Sequence, residues 1–280
     1  MKRIFILGIA VCAVMTGFAQ TDTTGKQKPD TIKVGGMVII REPGSKDGDT
    51  KSRNRVHFSK KSDVPVKRGN ISTNWWILDL GFSNYNDNNA YGTAAVNAVA
   101  PGSTKDWFKL RTGKSRSVNL WFFMQRLNMV EHVVNLKYGL GLELNNYHFD
   151  DTRIRFDKNT HLIDHANSAD LKKNKLAADY LTLPVMLNFN FTPDNRKGRT
   201  FGFSGGVSAG YLYSSREKIK DNGDVDKTRG NFGLRKWKLS YVGELTLGPI
   251  RLYGSYATKS MFENGLDMTP YNVGLRFSNW

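Results

Sequence analysis

The clearest pattern in the chain is a long alternation of apolar and polar residues between Val134 and Asn146. Val, Leu or Tyr occupies every second position as far as Leu144, with Asn, Lys, Gly or Glu between them. This period of two predicts a β-strand with one apolar and one polar face, because a helix would spread the leucines around its circumference. The run of about 11 to 13 residues is about twice the usual strand length in soluble proteins, and about 9 to 11 residues suffice to cross a membrane.

The same alternation recurs along the rest of the chain, giving eight predicted strands. They cover residues 76–83, 118–125, 134–146, 180–191, 201–213, 237–247, 250–256 and 271–278. Their connections are alternately long and short, which is typical of outer-membrane barrels with periplasmic turns and extracellular loops. We therefore predict an all-β fold, an eight-stranded antiparallel up-and-down transmembrane β-barrel over residues 72–280. A soluble sandwich is the alternative, but leucine-rich faces on nearly every strand and one-sided long loops favour the barrel.

Two details of the strands lead to specific expectations. In the second strand Phe122 and Met124 are expected on the lipid face and Phe123 on the inner face. Pro184 lies inside the fourth strand, where it has no N–H to donate to a β-ladder. We expect a bulge or a strand end at Pro184.

The polar face of these strands becomes the interior of a barrel. Eight strands leave an interior just wide enough for side chains to fill, and buried charges are tolerated when they are paired. We predict an interior network of ion pairs and hydrogen bonds. The turn at Gly248-Pro249 is expected to bring Glu244 and Arg251 together, with Arg276 close to them on the eighth strand. The predicted members are Asp79, Lys137, Glu143, Lys238, Glu244, Arg251 and Arg276. Such a lumen is filled and does not conduct ions.

Aromatic residues concentrate near the ends of the predicted strands. Their amphipathic rings suit the two boundaries between lipid and water. The predicted interface aromatics are Trp75, Trp76, Phe82, Tyr211, Tyr213, Trp237, Tyr271, Phe277 and Trp280. Of the last two, Phe277 is in phase with the lipid face, whereas Trp280 falls on the inward parity.

The residues before the strands predict export and a polar tail. Lys2 and Arg3, an apolar core and Gly17-Phe18-Ala19 form the pattern of a signal peptide over residues 1–19. Cys12 inside it is the only cysteine, and a lipoprotein acceptor role for it is the alternative. Residues 20–71 are polar and basic and are expected to be mostly disordered, with a short strand near 31–41. This periplasmic tail could engage a protein partner.

The net charge of +16 resembles that of a nucleic-acid-binding protein, but its distribution does not. The excess is spread thinly, with 12 basic and 6 acidic residues in 20–71, and there is no recognition helix or zinc-ligand set. We expect outer-membrane lipid, lipopolysaccharide phosphate and the barrel assembly machinery as partners, and no nucleic acid.

Catalytic and metal chemistry find little support. His161 and His165 have a spacing that could bind a metal if that segment were helical, but a solvated loop is the simpler interpretation. No serine is singled out for a Ser-His-acid arrangement. We therefore expect no catalytic residues, no metal, no cofactor and no enzymatic activity, with a lipid-modifying enzyme or a small channel as alternatives.

Several strand sequences resemble a known family. They are Asn119–Asn128 (NLWFFMQRLN), Tyr138–Glu143 (YGLGLE) and Leu183–Leu187 (LPVML). These are similar to the small outer-membrane β-barrel (PorT-like) proteins of Bacteroidota. The resemblance covers about residues 72–280 and implies a location in the cell outer membrane and a barrel fold. The implied role is structural, adhesive or associated with secretion machinery.

Overall fold

The computed structural model describes residues 30–34, 37–41, 69–166, 171–193, 200–221 and 224–278. The chain divides into two units, Met1–Lys67 and Arg68–Trp280. The predicted signal peptide, most of the predicted tail and Trp280 lie outside the described residues.

The first unit contains two short strands, β1 (Asp30–Val34) and β2 (Met37–Arg41). They pair antiparallel, from Asp30 opposite Arg41 to Val34 opposite Met37. A short strand was expected near 31–41, and the structure has two paired strands at these residues. The β-branched run forms two strands because their backbone groups satisfy one another, whereas a lone strand would leave them unpaired.

The second unit is built mainly from long antiparallel strands. Its elements in chain order are β3 (Ile71–Asp87), α1 (Ala94–Asn97), β4 (Arg116–Val130), β5 (Val134–His148), β6 (Ile154–Phe156), β7 (Ile163–His165), β8 (Leu171–Asn190), β9 (Phe201–Asp221), β10 (Asp224–Arg229), β11 (Trp237–Leu247), β12 (Ile250–Ala257) and β13 (Met268–Phe277). None of the helices in the described residues is long and apolar enough to cross a membrane.

Eight of these strands close into a ring. Each of β3, β4, β5, β8, β9, β11, β12 and β13 pairs with the ring strand before and after it, and β13 pairs with β3. The all-β class and the eight antiparallel strands are confirmed. The short connections lie at one end of the ring, here called the short-turn end, and the other connections lie at the opposite long-loop end.

Burial alternates along the ring strands as the sequence predicts. In β5 the polar positions from Asn135 to Asn145 are buried, and the apolar positions between them are only partly buried. In β8 the apolar positions from Leu181 to Phe189 are exposed, and the residues between them are buried. The polar face of the sheet is therefore the interior, and the apolar face forms the outer wall.

A paired irregularity in β3 and β4 changes this alternation locally. Trp76 has a φ of 56° and is skipped between the paired residues Trp75 and Ile77. Phe122 is skipped in the same way, so Phe123 turns outward and Met124 is fully buried. The prediction that Met124 faces lipid and Phe123 faces inward is wrong, because two bulges side by side shift the parity of both strands.

Pro184 does not interrupt its strand. It lies inside β8 and keeps its place opposite Ser208 of β9. Towards β5 the ladder lacks the pairs between Val185 and Thr182, but the register on either side is unchanged. The expectation of a bulge or a strand end is wrong, since the missing N–H removes ladder bonds without shifting the pairing.

Candidate functional site

The interior carries all seven charged residues of the predicted network, and each is buried. The Arg276 guanidinium donates to both carboxylate oxygens of Asp79, with Nε and Nη2 each 2.7 Å from their acceptors. Its Nη1 donates to Glu244, which also accepts from Lys137 Nζ at 2.6 Å. Four strands of the ring are thereby linked through one chain of charges.

A second interior pair lies closer to the long-loop end. Lys238 Nζ is 2.5 Å from Glu143 Oε1, and it also lies 4.4 Å from the centre of the Tyr180 ring. Asn272 Nδ2 donates to the same Glu143 oxygen at 2.9 Å, and Thr182 Oγ1 donates to Oε2 at 3.2 Å. Neutral hydrogen bonds satisfy the acceptor positions that the lysine leaves open.

Strand adjacency indicates only some of the partners of Glu244 and Arg251. Arg276 was expected close to them and contacts Glu244, whereas the contact of Lys137 with Glu244 was not expected. Across the β11–β12 turn Glu244 lies opposite Tyr253, and Arg251 lies opposite Thr246. Arg251 Nη1 donates to the carbonyl and hydroxyl oxygens of Ser278. Glu244 of β11 accepts from Arg276, two strands away on β13, and from Lys137, three strands away on β5. The sequence shows which residues are neighbours within a hairpin, but not which side chains meet across the lumen of a closed ring.

Aromatic residues and glycines fill the space around the charges. Trp121 Nε1 donates to Asp79 at 2.7 Å. A Cβ on Gly141 would lie 2.7 Å from both Cα and Cε3 of Trp121, and one on Gly274 would lie 2.7 Å from the Tyr253 ring. Glycines at these inward positions therefore make room for large neighbouring side chains.

Small cavities lie among the interior side chains that the structure describes. One of about 40 Å³ lies towards the short-turn end and is lined by Lys137, Glu244 and Arg251, among others. Another, of about 20 Å³, lies beside Glu143 and Arg276. Each has room for only a few water molecules.

The long-loop end is closed by a hydrophobic cluster that the sequence did not reveal. Its buried members are Tyr85, Val96, Ala100, Phe108, Tyr147, Phe149, Ile154, Phe156, Ile163, Leu176, Ala178, Tyr180, Phe232, Leu234, Met261, Phe262, Leu266 and Met268. They come from the ring strands and from every long connection, including the β6–β7 hairpin. We call this cluster and the loops that form it the cap. The apolar residues of the loops do not recur with a regular spacing, so the alternation that reveals the strands does not reveal the cap.

The histidines of the second long loop lie in the cap without forming a metal site. His165 Nε2 is 2.8 Å from Asp151 Oδ2, and its ring stacks on Trp107 with centroids 4.6 Å apart. His161 is exposed and has a φ of 58°. Within the part of the chain that the structure describes, no group of three or more His, Cys, Asp or Glu side chains could hold a metal ion.

The predicted interface aromatics within the described residues lie on the outer wall in two bands. Trp75, Trp76 and Phe277 are exposed near the short-turn end, and Phe82, Tyr211, Tyr213, Trp237 and Tyr271 lie outward near the long-loop end. Along β9, the ten steps from Phe201 to Tyr211 cover about 34 Å, or about 26 Å of height at a tilt of about 40°. That height equals the apolar band of about 25 Å in outer-membrane barrels.

The sequence profile of the family described as "Outer membrane protein beta-barrel domain" matches residues 76–258. The chain belongs to this family. Outer-membrane localisation and the identification of the ring as a β-barrel follow from that membership and from the apolar outer wall.

Comparison with solved structures gives distant matches. Two structures of Ail, the attachment invasion locus protein of Yersinia pestis, share 13% and 14% identity with TM-scores of 0.33 and 0.31. Each alignment covers 73% of this chain and 98% of Ail, and the first is a complex with the heparin analogue sucrose octasulfate. Among curated proteins, no sequence matches the chain.

Proposed function

We propose that the protein is a non-enzymatic outer-membrane barrel that presents its cap at the cell surface, in a structural or adhesive role. The observation that carries this proposal is the cap itself. Exposed loops of a purely structural barrel could remain solvated, but here every long connection contributes buried apolar residues to one cluster. Ordering these loops costs conformational entropy, which the buried apolar area offsets. The result is a shaped surface that is already organised for binding.

The interior supports the same assignment. The ion pairs of Asp79, Arg276, Glu244 and Lys137 cross the lumen, and the cavity lined by Lys137 and Glu244 has a volume of about 40 Å³. The cap covers the long-loop end above them. A small channel would need a continuous water-filled path through these ion pairs and the cap, so the packing of the described residues supports a barrel that does not conduct.

The long-loop end is proposed to face outward, because outer-membrane barrels have long extracellular loops and short periplasmic turns. In this orientation both ends of the barrel, and residues 20–71, are periplasmic. An association with Bacteroidota secretion machinery, suggested by the PorT-like resemblance, would then involve this tail, which lies largely outside the described residues.

Surface labelling of intact cells tests the orientation. Lys158 is exposed on the cap and Pro249 is exposed in the β11–β12 turn. A membrane-impermeant maleimide should label Lys158→Cys on intact cells and Pro249→Cys only after the outer membrane is permeabilised, with the unsubstituted chain as the control. The reverse pattern would overturn the proposed display of the cap.

Two further measurements address the alternatives. Purified protein in planar bilayers should show no stepwise conductance, and ion currents that persist after repurification would favour a channel. The lipid A mass spectrum of a deletion strain should equal that of the parent. A mass change restored by complementation would favour a lipid-modifying enzyme.

A further inference from the structure

The outer face of the sheet changes character above the membrane band at the long-loop end. Here β8 and β9 extend beyond the ring, and β10 pairs with β9. The outward positions of these three strands carry seven cationic residues, and we call this surface the basic face. Its members are Lys173, Lys175, Arg216, Lys218, Lys220, Lys227 and Arg229.

The ladder places these cations directly opposite one another. Lys175 pairs with Lys218, which pairs with Lys227 on the next strand. Lys173 lies opposite Lys220, and Arg216 lies opposite Arg229. Directly opposed residues share one side of a sheet, and like charges in such positions repel each other. Three successive rows of the sheet therefore carry the same unfavourable arrangement.

Neighbouring acids compensate little of this charge. Glu217 has the opposite parity and is buried under the cap. Asp179 accepts from Arg216 Nη1 at 2.5 Å. Among the residues that the structure describes, no carboxylate forms an ion pair with Lys173, Lys175, Lys218 or Lys220. Lys175 Nζ instead donates to the neutral Asn146 side chain at 2.7 Å.

The electrostatic potential of the face affects its own titratable groups, all outside the membrane-spanning segments. Burial, together with Lys173 and Lys218, lowers the pKa of Lys175 to about 8. On β5, His148 lies opposite Lys175, and burial followed by the charges of Lys173 and Lys175 lowers its pKa to about 4. Burial is the larger cause of both shifts, and the neighbouring cations of the basic face act in the same direction.

The position of the basic face relative to the membrane indicates which class of molecule it meets. On β9, Arg216 follows the interface residue Tyr213 by three positions, and Lys220 lies about 14 Å further along the strand. The face continues the lipid-facing wall and points sideways, parallel to the membrane. A group that meets it is therefore a neighbour in the outer leaflet, at the level of the headgroups.

We propose that the basic face binds the phosphorylated headgroup of an outer-leaflet glycolipid of the lipopolysaccharide type. The inference rests on the outward orientation of the cap given under the proposed function. Lysines hold phosphates as point charges, and rows of lysines spaced along strands match several phosphates on one headgroup. The anionic headgroup then supplies the countercharge that the sheet lacks.

Native mass spectrometry of the full-length barrel, titrated in detergent with bis-phosphorylated lipid A, tests this proposal. The same lipid without its phosphates is the reference ligand. The wild type should retain the phosphorylated lipid at least about tenfold more tightly, since each Lys near an anionic surface contributes roughly fivefold. Lys173→Gln, Lys218→Gln and Lys220→Gln combined should abolish most of that preference.

Two matched variants keep the outcome interpretable. Lys105→Gln, Lys109→Gln and Lys158→Gln remove the same charge from exposed lysines of the long loops and should bind like the wild type. Arginine at positions 173, 218 and 220 should restore binding if charge is what matters. Unchanged binding by the triple glutamine variant overturns the proposal, as does equal retention of both lipids by the wild type.

A further arm separates a lipid from a soluble polyanion. Dextran sulfate should compete only weakly with lipid A, because it lacks the acyl chains that hold the headgroup beside the wall. Complete displacement at equal charge would overturn the lipid assignment. Failure of any lipid arm leaves the surface labelling of Lys158→Cys unchanged, so it is distinguishable from failure of the proposed display function.

Discussion

Glu244 offers the sharpest test of the interior network, because one carboxylate serves two cations. It is 5% exposed and accepts from Lys137 Nζ at 2.6 Å and from Arg276 Nη1. In Glu244→Leu both cations lose this acceptor, although Arg276 keeps Asp79. Removing one partner of a buried pair costs about 3–5 kcal/mol, because it leaves charge without compensation. The free energy of unfolding should fall by that amount.

The assay is a reversible urea titration of the folded barrel, followed by tryptophan fluorescence and by the heat-modifiable shift in electrophoretic mobility. For a unit of this size about 1 kcal/mol corresponds to about 2–4 °C, so the thermal midpoint should fall by about 6–20 °C. Glu263→Leu, which removes an exposed carboxylate from the cap, should change stability by less than about 0.5 kcal/mol.

A second substitution distinguishes a lost charge from a lost shape. Glu244→Leu combined with Lys137→Met removes both partners and should recover at least half of the lost stability, since apolar replacement of a whole buried pair is often neutral. The reasoning is refuted if Glu244→Leu unfolds like the wild type. It is equally refuted if the double variant is no more stable than the single one.

Three further predictions concern the cap and the wall. Burial raises the pKa of Glu217 from 4.5 to about 7, so the folded cap holds this proton more tightly than the unfolded chain does. The contribution of Glu217 to cap stability should be complete below about pH 4.5 and should be lost as pH rises through 7, by roughly 2–3 kcal/mol, measured as the difference between the wild type and Glu217→Gln in hydrogen exchange of β6 and β7. Glu217→Gln should remove this dependence, and an unchanged pH profile would disprove it. Gly141→Ala should destabilise the barrel by more than about 2 kcal/mol in urea unfolding, because the new Cβ would lie 2.6 Å from the Leu120 carbonyl oxygen. Gly243→Ala should be nearly neutral, because a Cβ there would have one atom within 4 Å, at 3.9 Å, and equal effects of the two variants would contradict this packing. Phe156→Ala removes a ring whose centroid lies 5.5 Å from that of Phe149 and 6.0 Å from that of Phe232. Limited proteolysis should then cut the cap at least tenfold faster while the barrel keeps its heat-modifiable shift, and loops that resist the protease as in the wild type would argue against the cluster.

The strand count and the inward face of the barrel were accessible from sequence because alternation is a local property. Lys137 and Glu143 are buried, as the alternation predicts, since each lies between two outward apolar residues of β5. The predicted orientations of Met124 and Phe123 were the reverse of those observed. The bulge at Phe122 inserts one extra residue into β4, and the alternation of apolar and polar residues does not show it.

The cap and the basic face were beyond local reasoning. Phe156, Phe232 and Met261 occur in separate loops and meet only after the ring closes. Lys175, Lys218 and Lys227 lie on three different strands and form one row of the sheet. Because they are far apart in sequence, counting charges along the chain shows only a thinly spread excess of basic residues. Both features are products of strand pairing across long separations in sequence.

The contact between Asp79 and Arg276 has a consequence for assembly. These residues are 197 positions apart and lie on β3 and β13, the two strands whose pairing completes the barrel. Until the final strand arrives, the aspartate has no guanidinium, so an incomplete sheet carries an electrostatic penalty. A slip of one residue in the last strand would turn Arg276 towards lipid. The charge pair therefore stabilises the complete barrel, with its last strand in the correct register, relative to an incomplete or slipped sheet.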